Sequence, residues 1–549
     1  MPPASCRLST TRWVRVVSDG DEMPSAGTVD RDGAPRSDAR RVVRRRRDGC
    51  GGNMDGHRSG SGMPHAHRNH PDRSIGAHMG ACTVSWRCAL LAACSVALLT
   101  GSSLLSCSTE RDARLEAADT RAVGAQLEAY LDRAAEVWGF QGAALVASGD
   151  TLLLAQGYGS ADLAGRRPIT PETKFMIGSL TKPFTAILTL QLAGEGRIDL
   201  QAPIGAYLSD YPSPAAEHVT LHHLLSHSSG IPDLPGNAAF RARITEAHTP
   251  DALIAYFRDA PLQFPPGARS AYASANYVLL GRIAEEVTGR SWEALIRERI
   301  CEPLGLVSTG VYPDYASRTD FAAGVLAGPD GSLRPAPPLH PSCGYAAGAL
   351  ASSVRDLLLL HRALASARLL PRETITAMES LQAPPFGYGW LLSEPGGHAL
   401  VAHGGGLPGY SAILHRWTAD SLCVAILGHR PSVPLHSLAL SLAAIVFGAD
   451  CPWPAAREPI ALAPQTLGQY AGCYAIGDGG ERCLEPDGGA LLARRDGGTP
   501  YRLLAEARDR FRYAHDPLTY LHFERDDGGR IIGHTLRQAF HEEYARRIP

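Results

Sequence analysis

The sequence predicts an α/β (α+β) protein with an antiparallel sheet flanked by helices, a largely helical insertion lobe, and a small all-β, barrel-like domain at the C-terminal end. Three observations predict this fold class. Strand-like segments occur near both ends of one region, at 143–155 and 398–427. Helical patterning lies between them. Beyond residue 465, short β-like segments alternate with Gly and Asp turns.

The elements of the main region follow from residue spacing. Apolar residues in 113–138 recur with the period of an amphipathic helix. Two apolar runs at 143–147 and 151–155 are separated by Ser-Gly-Asp, which predicts a β-hairpin. A sheet built from both ends of the region leaves 205–340 as the helical insertion. The later strands and the final helix are expected at 398–402, 410–417, 422–427 and 438–447.

Composition suggests where the domains begin and end. Prolines cluster after residue 451 and indicate a linker. The predicted parts are an N-terminal extension (1–78), an export segment (79–107), the main domain (108–450), a Pro-rich linker (451–464) and the small β-barrel-like domain (465–549).

The overall charge balance argues against polyanionic partners. The chain has 549 residues, 44% of them hydrophobic, and a formal net charge of -2. Such a chain can bury a core for two or three domains and has no basic excess to attract nucleic acid or acidic lipid. We therefore expect a small-molecule or peptide substrate and no nucleic-acid partner.

The first 78 residues differ from the rest of the chain. They contain more arginines than acidic residues, including four consecutive arginines at 44–47, and they have no sustained apolar period. Such a composition predicts disorder, or upstream sequence that is not translated in the cell. A basic arm for nucleic acid is the alternative, but no aromatic residues are interleaved with its arginines, so it is less favoured.

A second possible start lies at Met79. Arg87 is followed by an apolar run at 88–105 and then by Cys107, which is the layout of a secretory signal that ends in a lipobox-like site. An uncleaved membrane anchor is the alternative, since the segment is just long enough to span a bilayer, which needs about 20 residues. Either interpretation predicts an exported periplasmic or cell-envelope protein, with membrane association through a lipid on Cys107 or through the apolar segment.

The cysteines predict one disulfide. Six cysteines follow Cys107, and none of them forms the C-x-x-C spacing that indicates zinc. If a hairpin turn centres on Asp478, Cys473 and Cys483 lie opposite each other on adjacent strands. We therefore expect these two cysteines to pair.

Lysine is almost absent from this chain, and this scarcity identifies one residue of interest. Only Lys174 and Lys182 occur among 53 basic residues. A position that resists replacement by arginine needs a cation that can lose its proton near neutral pH. Lys182 lies three residues after Ser179 at the start of an apolar helix, so the amine can activate the hydroxyl as a nucleophile. Snorkelling of Lys182 and simple capping by Ser179 are the structural alternatives.

Three short motifs together resemble one enzyme superfamily. Ser179-x-x-Lys182 is similar to the first motif of the serine β-lactamase and penicillin-binding protein superfamily, which includes class C β-lactamases, D-alanyl-D-alanine carboxypeptidases and esterases. Tyr272-Ala-Ser274 resembles its Tyr-x-Asn motif, with serine where asparagine is usual. His403-Gly-Gly-Gly resembles its Lys-Thr-Gly strand in the His-x-Gly form.

The resemblance implies a role for each residue of these motifs. Tyr272 would share proton transfer with Lys182 and protonate the leaving group, and His403 would supply a hydrogen bond or a positive charge beside Tyr272. The N–H groups of Gly406 and Ser179 would form the oxyanion hole. Gly405 and Ser274 would contact the substrate.

Further segments extend the similarity over about 120–450. They are 221–231, 302–306, 348–353 with 356–357, and 388–390. Within the first of them, His223 and His227 have the i, i+4 spacing of zinc ligands, but the glutamate of an H-E-x-x-H motif is missing. We therefore expect both histidines to be structural and expect neither a metal nor an organic cofactor.

The motifs predict a serine hydrolase that acts through a covalent acyl-enzyme on an ester or amide, of the peptidase or esterase type. His403 and Ser274 favour this over a specialised β-lactamase, which is one alternative. The other alternative is an exported, non-catalytic module that binds peptidoglycan or a partner protein through the same cleft.

Overall fold

The computed structural model describes residues 119–549 except 329–330, 431–433 and 478. The predictions for the N-terminal extension and the export segment lie outside these residues, as does the start of the helix predicted at 113–138. In the part of the chain that is described, no helix is both long and apolar enough to cross a membrane.

Strands are numbered β1 to β18 in chain order. Those of the first domain are β1 Gly142–Ser148, β2 Thr151–Tyr158, β3 Phe175–Met176, β4 Val325–Ala327, β5 Leu333–Pro335, β6 Ala351–Ser352, β7 Leu391–Ser393, β8 Leu400–Leu407, β9 Tyr410–Trp417 and β10 Leu422–Gly428. Those of the C-terminal domain are β11 Gly472–Ile476, β12 Glu481–Asp487, β13 Ala490–Arg495, β14 Tyr501–Ala507, β15 Arg510–Tyr513, β16 Tyr520–Arg525, β17 Ile531–Gln538 and β18 His541–Arg547.

Helices are numbered α1 to α14, and α1 is the helix whose described part covers 119–138. The others are α2 Lys182–Gly194, α3 Ala215–His218, α4 Leu221–Leu225, α5 Ala238–Arg241, α6 Pro250–Ile254, α7 Ser274–Thr288, α8 Trp292–Ile296, α9 Glu302–Leu304, α10 Tyr345–Gly348, α11 Val354–Ala365, α12 Arg372–Met378, α13 Leu435–Phe447 and α14 Pro464–Gly468.

The central sheet is antiparallel and has the order β2-β1-β10-β9-β8-β7. Strand β1 from the start of the domain pairs with β10 from its end, with Gly142 opposite Gly428. The prediction of a sheet made from both ends of the domain is therefore confirmed. The predicted insertion at 205–340 is largely helical, as expected, and also contains the small β4–β5 hairpin.

Both faces of the sheet are buried beneath helices. On β1, Ala143 and Leu145 belong to one core cluster, while Ala144 and Val146 belong to a second. This alternation is the two-residue period of a strand that is covered on both sides. The first cluster includes side chains of α2, α7 and α11, and the second includes side chains of α1 and α13.

The C-terminal domain is a closed barrel in which β11 to β18 are neighbours in sequence order and β11 pairs with β18. The barrel-like prediction is confirmed. Alternate residues, such as Phe511 and Tyr513 on β15, are buried in the barrel core. Leu518 and Ala539 instead join the α1–α13 core cluster, so the barrel packs on that layer of the first domain.

The predicted disulfide is confirmed, because Cys473 and Cys483 are bonded and lie opposite each other on β11 and β12. Asp478, the expected centre of the turn, is outside the described residues. The other cysteines of the described part are unpaired: Cys301, Cys343, Cys423 and Cys451.

Candidate active site

Ser179 lies on a tight turn beneath the central sheet. Strand β3 is followed by a 3₁₀ turn at Gly178–Thr181, and α2 begins only at Lys182. The sequence predicted Ser179 and Lys182 on one face of a helix. The 3₁₀ turn places them on one side because it has three residues per turn. Gly178 has a φ of +49°, and a Cβ there would lie 2.8 Å from the carbonyl oxygen of Gly406, so the turn needs glycine.

Lys182 is fully buried, and its amine contacts three oxygen atoms. Its Nζ lies 3.0 Å from Ser179 Oγ, 3.0 Å from the carbonyl oxygen of Ala347 and 3.4 Å from Ser274 Oγ. Ala347 belongs to α10, and Ser274 begins α7. Three separate helices therefore fix the position of one amine beside the nucleophile candidate.

Tyr272 forms the next wall of the same crevice. Lys182 Nζ lies 4.7 Å from the centre of the Tyr272 ring, and the ring centre of His403 lies 6.3 Å from it. The predicted residues Ser179, Lys182, Tyr272, Ser274 and His403 are therefore brought together around one amine, although they come from three separate stretches of the chain.

His403 is buried on β8 and faces this crevice. Its Nδ1 lies 2.6 Å from the carbonyl oxygen of Gly404, and because a carbonyl only accepts, Nδ1 carries the proton and donates it. Burial, followed by the positive charge of Lys182, lowers the pKa of His403 to about 3. The ring is therefore neutral near pH 7, so of the two roles predicted for it the hydrogen bond is available and the positive charge is not.

The glycine-rich part of β8 lies directly against the turn that carries Ser179. A Cβ on Gly405 would lie 1.9 Å from the carbonyl oxygen of Ile177 and 2.9 Å from the backbone nitrogen of Ser179. A Cβ on Gly178 would lie 2.8 Å from the carbonyl oxygen and 2.9 Å from the backbone nitrogen of Gly406. Glycine is required here because the two backbones approach more closely than any side chain permits.

Two groups at the site had no signal in the sequence. The carbonyl of Ala347 is a backbone atom, which residue type does not reveal. Asp233 accepts a hydrogen bond from the N–H of Ser274, with Oδ1 and N 2.6 Å apart. Burial raises the pKa of its carboxyl, against the opposing effects of the Ser274 N–H and of Lys182.

His223 and His227 make separate local hydrogen bonds. Nδ1 of His223 accepts from the N–H of Thr220, and Nδ1 of His227 accepts from the N–H of Ala273. Over the described residues, the one group of side chains close enough to hold a metal ion is Cys473, Glu481 and Cys483. Its two cysteines are bonded to each other, so they are not thiolate ligands.

The fold and this crevice define a class of enzyme, the serine hydrolases of the β-lactamase and penicillin-binding protein type. Comparison with known proteins gives the family: the model named Beta-lactamase matches residues 128–445, and the chain belongs to that family.

Several relatives resemble this chain over most of their own length. Penicillin-binding protein 4* of Bacillus subtilis is 27% identical over 388 residues, which cover 64% of this chain and 83% of that protein. Esterase EstB of Burkholderia gladioli is 29% identical over 349 residues, which cover 55% of this chain and 88% of that protein.

A solved structure resembles this fold. The octameric penicillin-binding protein homologue from Pyrococcus abyssi has a TM-score of 0.57 and 27% identity, and the match covers 77% of this chain and 99% of that chain.

Proposed function

We propose that this chain hydrolyses an ester or amide bond through a covalent acyl-enzyme on Ser179, as a peptidase- or esterase-type serine hydrolase. One observation carries the proposal. The buried amine of Lys182 lies 3.0 Å from Ser179 Oγ, and the carbonyl of Ala347 and the hydroxyl of Ser274 fix its other contacts. A positioned base is what a serine hydroxyl needs to become a nucleophile.

The contacts of Lys182 support a specific proton path. A neutral amine has two N–H donors, which can bond the carbonyl oxygen of Ala347 and the hydroxyl of Ser274, and one lone pair, which faces the hydroxyl of Ser179. As Ser179 Oγ bonds to the substrate carbonyl carbon, its proton moves to Nζ of Lys182. The proton then passes to the leaving group by way of Tyr272, the acyl–leaving-group bond breaks, and water later hydrolyses the acyl-enzyme.

The backbone around Ser179 supports an oxyanion hole made of the N–H groups of Ser179 and Gly406. Close contact between β8 and the 3₁₀ turn holds the two segments in fixed relation. Backbone donors that are already in place stabilise charge as it develops on the carbonyl oxygen, without reorganisation during the reaction.

The residues beside Lys182 favour esters or peptides over β-lactams. Ser274 is shorter than the asparagine usual in the superfamily, so it offers no side-chain amide to a substrate. His403 is neutral near pH 7, so it adds no fixed positive charge to the cleft. Among the relatives, one is named an esterase and another a penicillin-binding protein, and both names are compatible with acyl transfer.

Two variants with a matched control test the proposal. Wild-type protein should hydrolyse nitrophenyl acyl esters and be labelled by a fluorophosphonate on Ser179, as located by mass spectrometry. Ser179→Ala should abolish the labelling and lower kcat/KM by about 1000-fold or more. Lys182→Arg should lower kcat/KM by about 100- to 10,000-fold because arginine cannot accept the proton. Lys174→Arg is the control, since Lys174 pairs with Asp320 at the surface.

The outcomes separate the alternatives. Full ester turnover by Lys182→Arg would contradict the proton path. No labelling and no turnover by the wild type would favour the non-catalytic binding module. A stable penicillin adduct together with slow ester hydrolysis would favour β-lactam recognition. A comparison of kcat/KM for D-alanyl-D-alanine peptides with kcat/KM for esters would identify the preferred acyl group.

We also propose that the enzyme works outside the cytoplasm, in the periplasm or cell envelope, with a lipid on Cys107 or an apolar anchor. The disulfide Cys473–Cys483 supports an oxidising compartment. Expression of the full chain with its N-terminal segment, followed by intact-mass measurement of the membrane fraction, tests this. A mature chain that begins at Cys107 with added lipid mass is expected, and an unprocessed chain confined to the soluble cytoplasm would contradict it.

A further inference from the structure

His227 is a buried histidine that the proposed proton path does not use. It follows α4, is 1% exposed, and has a φ of +55°. A non-glycine residue in this left-handed region is uncommon and costs conformational energy unless its surroundings hold it there. Contacts with neighbouring residues therefore hold His227 in this conformation.

His227 binds the chain on both sides of Tyr272. The N–H of Ala271 donates to the backbone carbonyl of His227, with N and O 2.8 Å apart. The N–H of Ala273 donates to Nδ1 of His227, with the two nitrogens 3.1 Å apart. Between these bonds, the imidazole stacks on the phenol ring of Tyr272, with ring centres 4.5 Å apart and planes 27° apart. The two bonds and the stacking hold one tripeptide at three points.

The other neighbours of His227 restrict the ring further. Phe386 and Tyr277 pack against it, with ring centres at 4.8 and 5.2 Å, and Nδ2 of Asn276 lies 3.4 Å from Nδ1. Since Nδ1 accepts from Ala273, it has no proton, and the neutral ring has its proton on Nε2.

The groups that influence the charge of His227 also favour the neutral ring. Burial is the largest effect and keeps the pKa of His227 well below its usual value, and a positive charge on Lys182 or on His403 acts in the same direction. Protonation would remove the acceptor that binds Ala273 and would add a cation near Lys182. The clamp on Tyr272 therefore requires the uncharged form.

We infer that His227 is a positioning residue that holds Tyr272 at the nucleophile through its backbone carbonyl, its Nδ1 atom and its ring face. The inference rests on the proposed function, because it assigns to His227 the orientation of a group in the proposed proton path. His227 acts through Tyr272 and has no direct role in bond making.

Two substitutions separate the hydrogen bond from the ring. In His227→Asn, the amide oxygen takes the place of Nδ1 along the side chain and asparagine tolerates the left-handed backbone, but the stacked ring is lost. In His227→Phe, the ring remains but the acceptor is lost. His223→Asn is the matched control, because it makes the same change at a histidine whose Nδ1 binds Thr220 instead.

Both His227 variants should lower kcat on nitrophenyl acyl esters by about 100-fold, with KM changed by less than about threefold, because a misplaced phenol slows proton transfer without weakening binding. The control should stay within about twofold of the wild type. In a double-mutant cycle with Tyr272→Phe, each His227 change should cost less than about threefold further, since the group on which it acts has been removed. Losses that simply multiply in the double mutants, or an unchanged kcat in both single variants, would overturn the inference.

A second measurement does not depend on turnover. Nitrogen NMR of the full chain labelled in histidine, with the His227 signals identified by their loss in His227→Asn, should show a neutral ring protonated on Nε2 at pH 7. A ring protonated on Nδ1, or a charged ring, would overturn the clamp even if the enzyme is active. A wild-type protein that hydrolyses neither esters nor peptides and is not labelled by the fluorophosphonate, but still shows the expected tautomer, would refute the proposed function and leave the clamp intact.

Discussion

Lowering the pH from 7 to 5 should destabilise this protein through histidines that are buried in the neutral form. Burial is the main cause that lowers the pKa of His361, His403 and His534 to about 3 in each case. An unfolded chain returns them to an ordinary pKa of about 6.5. Below that value the unfolded state binds more protons than the folded state, so the free energy of unfolding falls as the pH falls.

The size of the effect follows from the two pKa values. For one histidine with a pKa of about 6.5 when unfolded and about 3 when folded, the free energy of unfolding falls by about 2 kcal/mol between pH 7 and pH 5. If they act independently, the three histidines account for about 6 kcal/mol, a large share of the 5–15 kcal/mol by which domains are usually stable. The loss in the free energy of unfolding should level off as the pH approaches 3, because the three histidines then also take up protons in the folded state.

His534 offers the clearest single test because it is far from the proposed nucleophile, inside the barrel. Its ring packs between Tyr474 and Phe523, and within the described structure neither ring nitrogen has a hydrogen-bond partner. His534→Phe fills the same space without a proton site. We expect it to be at least as stable as the wild type at pH 7, since it removes two unsatisfied polar atoms, and to lose about 2 kcal/mol less between pH 7 and pH 5.

Urea unfolding at pH 7, 6 and 5 and constant ionic strength measures this difference. Residues 465–549 contain no tryptophan, so no tryptophan fluorescence arises in the barrel, whereas far-ultraviolet circular dichroism follows both domains. Coincident transitions at each pH would permit a two-state free energy. An equal loss of stability in the wild type and His534→Phe would refute the reasoning, because it would show that His534 takes up no proton on unfolding in this range.

Two further substitutions test the contacts around the site and the barrel. Gly405→Ala should destabilise the protein by about 1–3 kcal/mol in urea unfolding and lower kcat/KM, because its Cβ would overlap the carbonyl oxygen of Ile177. Gly404→Ala is the control and should be nearly neutral, because its Cβ would lie 3.3 Å from a methyl group of Ile413 and 3.6 Å from the carbonyl oxygen of Ala412. Ser437→Ala should lower stability by about 1–3 kcal/mol, because it leaves the buried carboxylate of Asp516, 2.7 Å from the Ser437 hydroxyl, with one hydrogen bond fewer. The same variant should leave kcat/KM unchanged. A change in kcat/KM would contradict the placement of the barrel on the α1–α13 side of the sheet.

The fold class could be predicted because its signals are local. The turn between 143–147 and 151–155, the strand-like segments at 410–417 and 422–427, and the turn-rich segment after 465 are each visible within short windows of sequence. The pairing of Cys473 with Cys483 could be predicted for the same reason, because hairpin register depends on a few residues around one turn. The closure of the barrel, by contrast, depends on pairing between β11 and β18, which are about 70 residues apart.

The sequence by itself determined which residues of the site were worth considering. Two lysines in the whole chain, one of them three residues after a serine, together with Tyr272 and the glycines after His403, were enough to indicate an acyl-transfer chemistry. Residue type and spacing carry that information because the chemistry needs particular functional groups.

Only the tertiary structure decided how these groups are arranged and charged. It placed the carbonyl of Ala347 and the hydroxyl of Ser274 on the amine of Lys182, made His403 neutral, and closed His227 around the backbone of Tyr272. The reason is physical: burial and contacts between distant segments set the protonation state and orientation of a side chain, and neither is written in its local sequence.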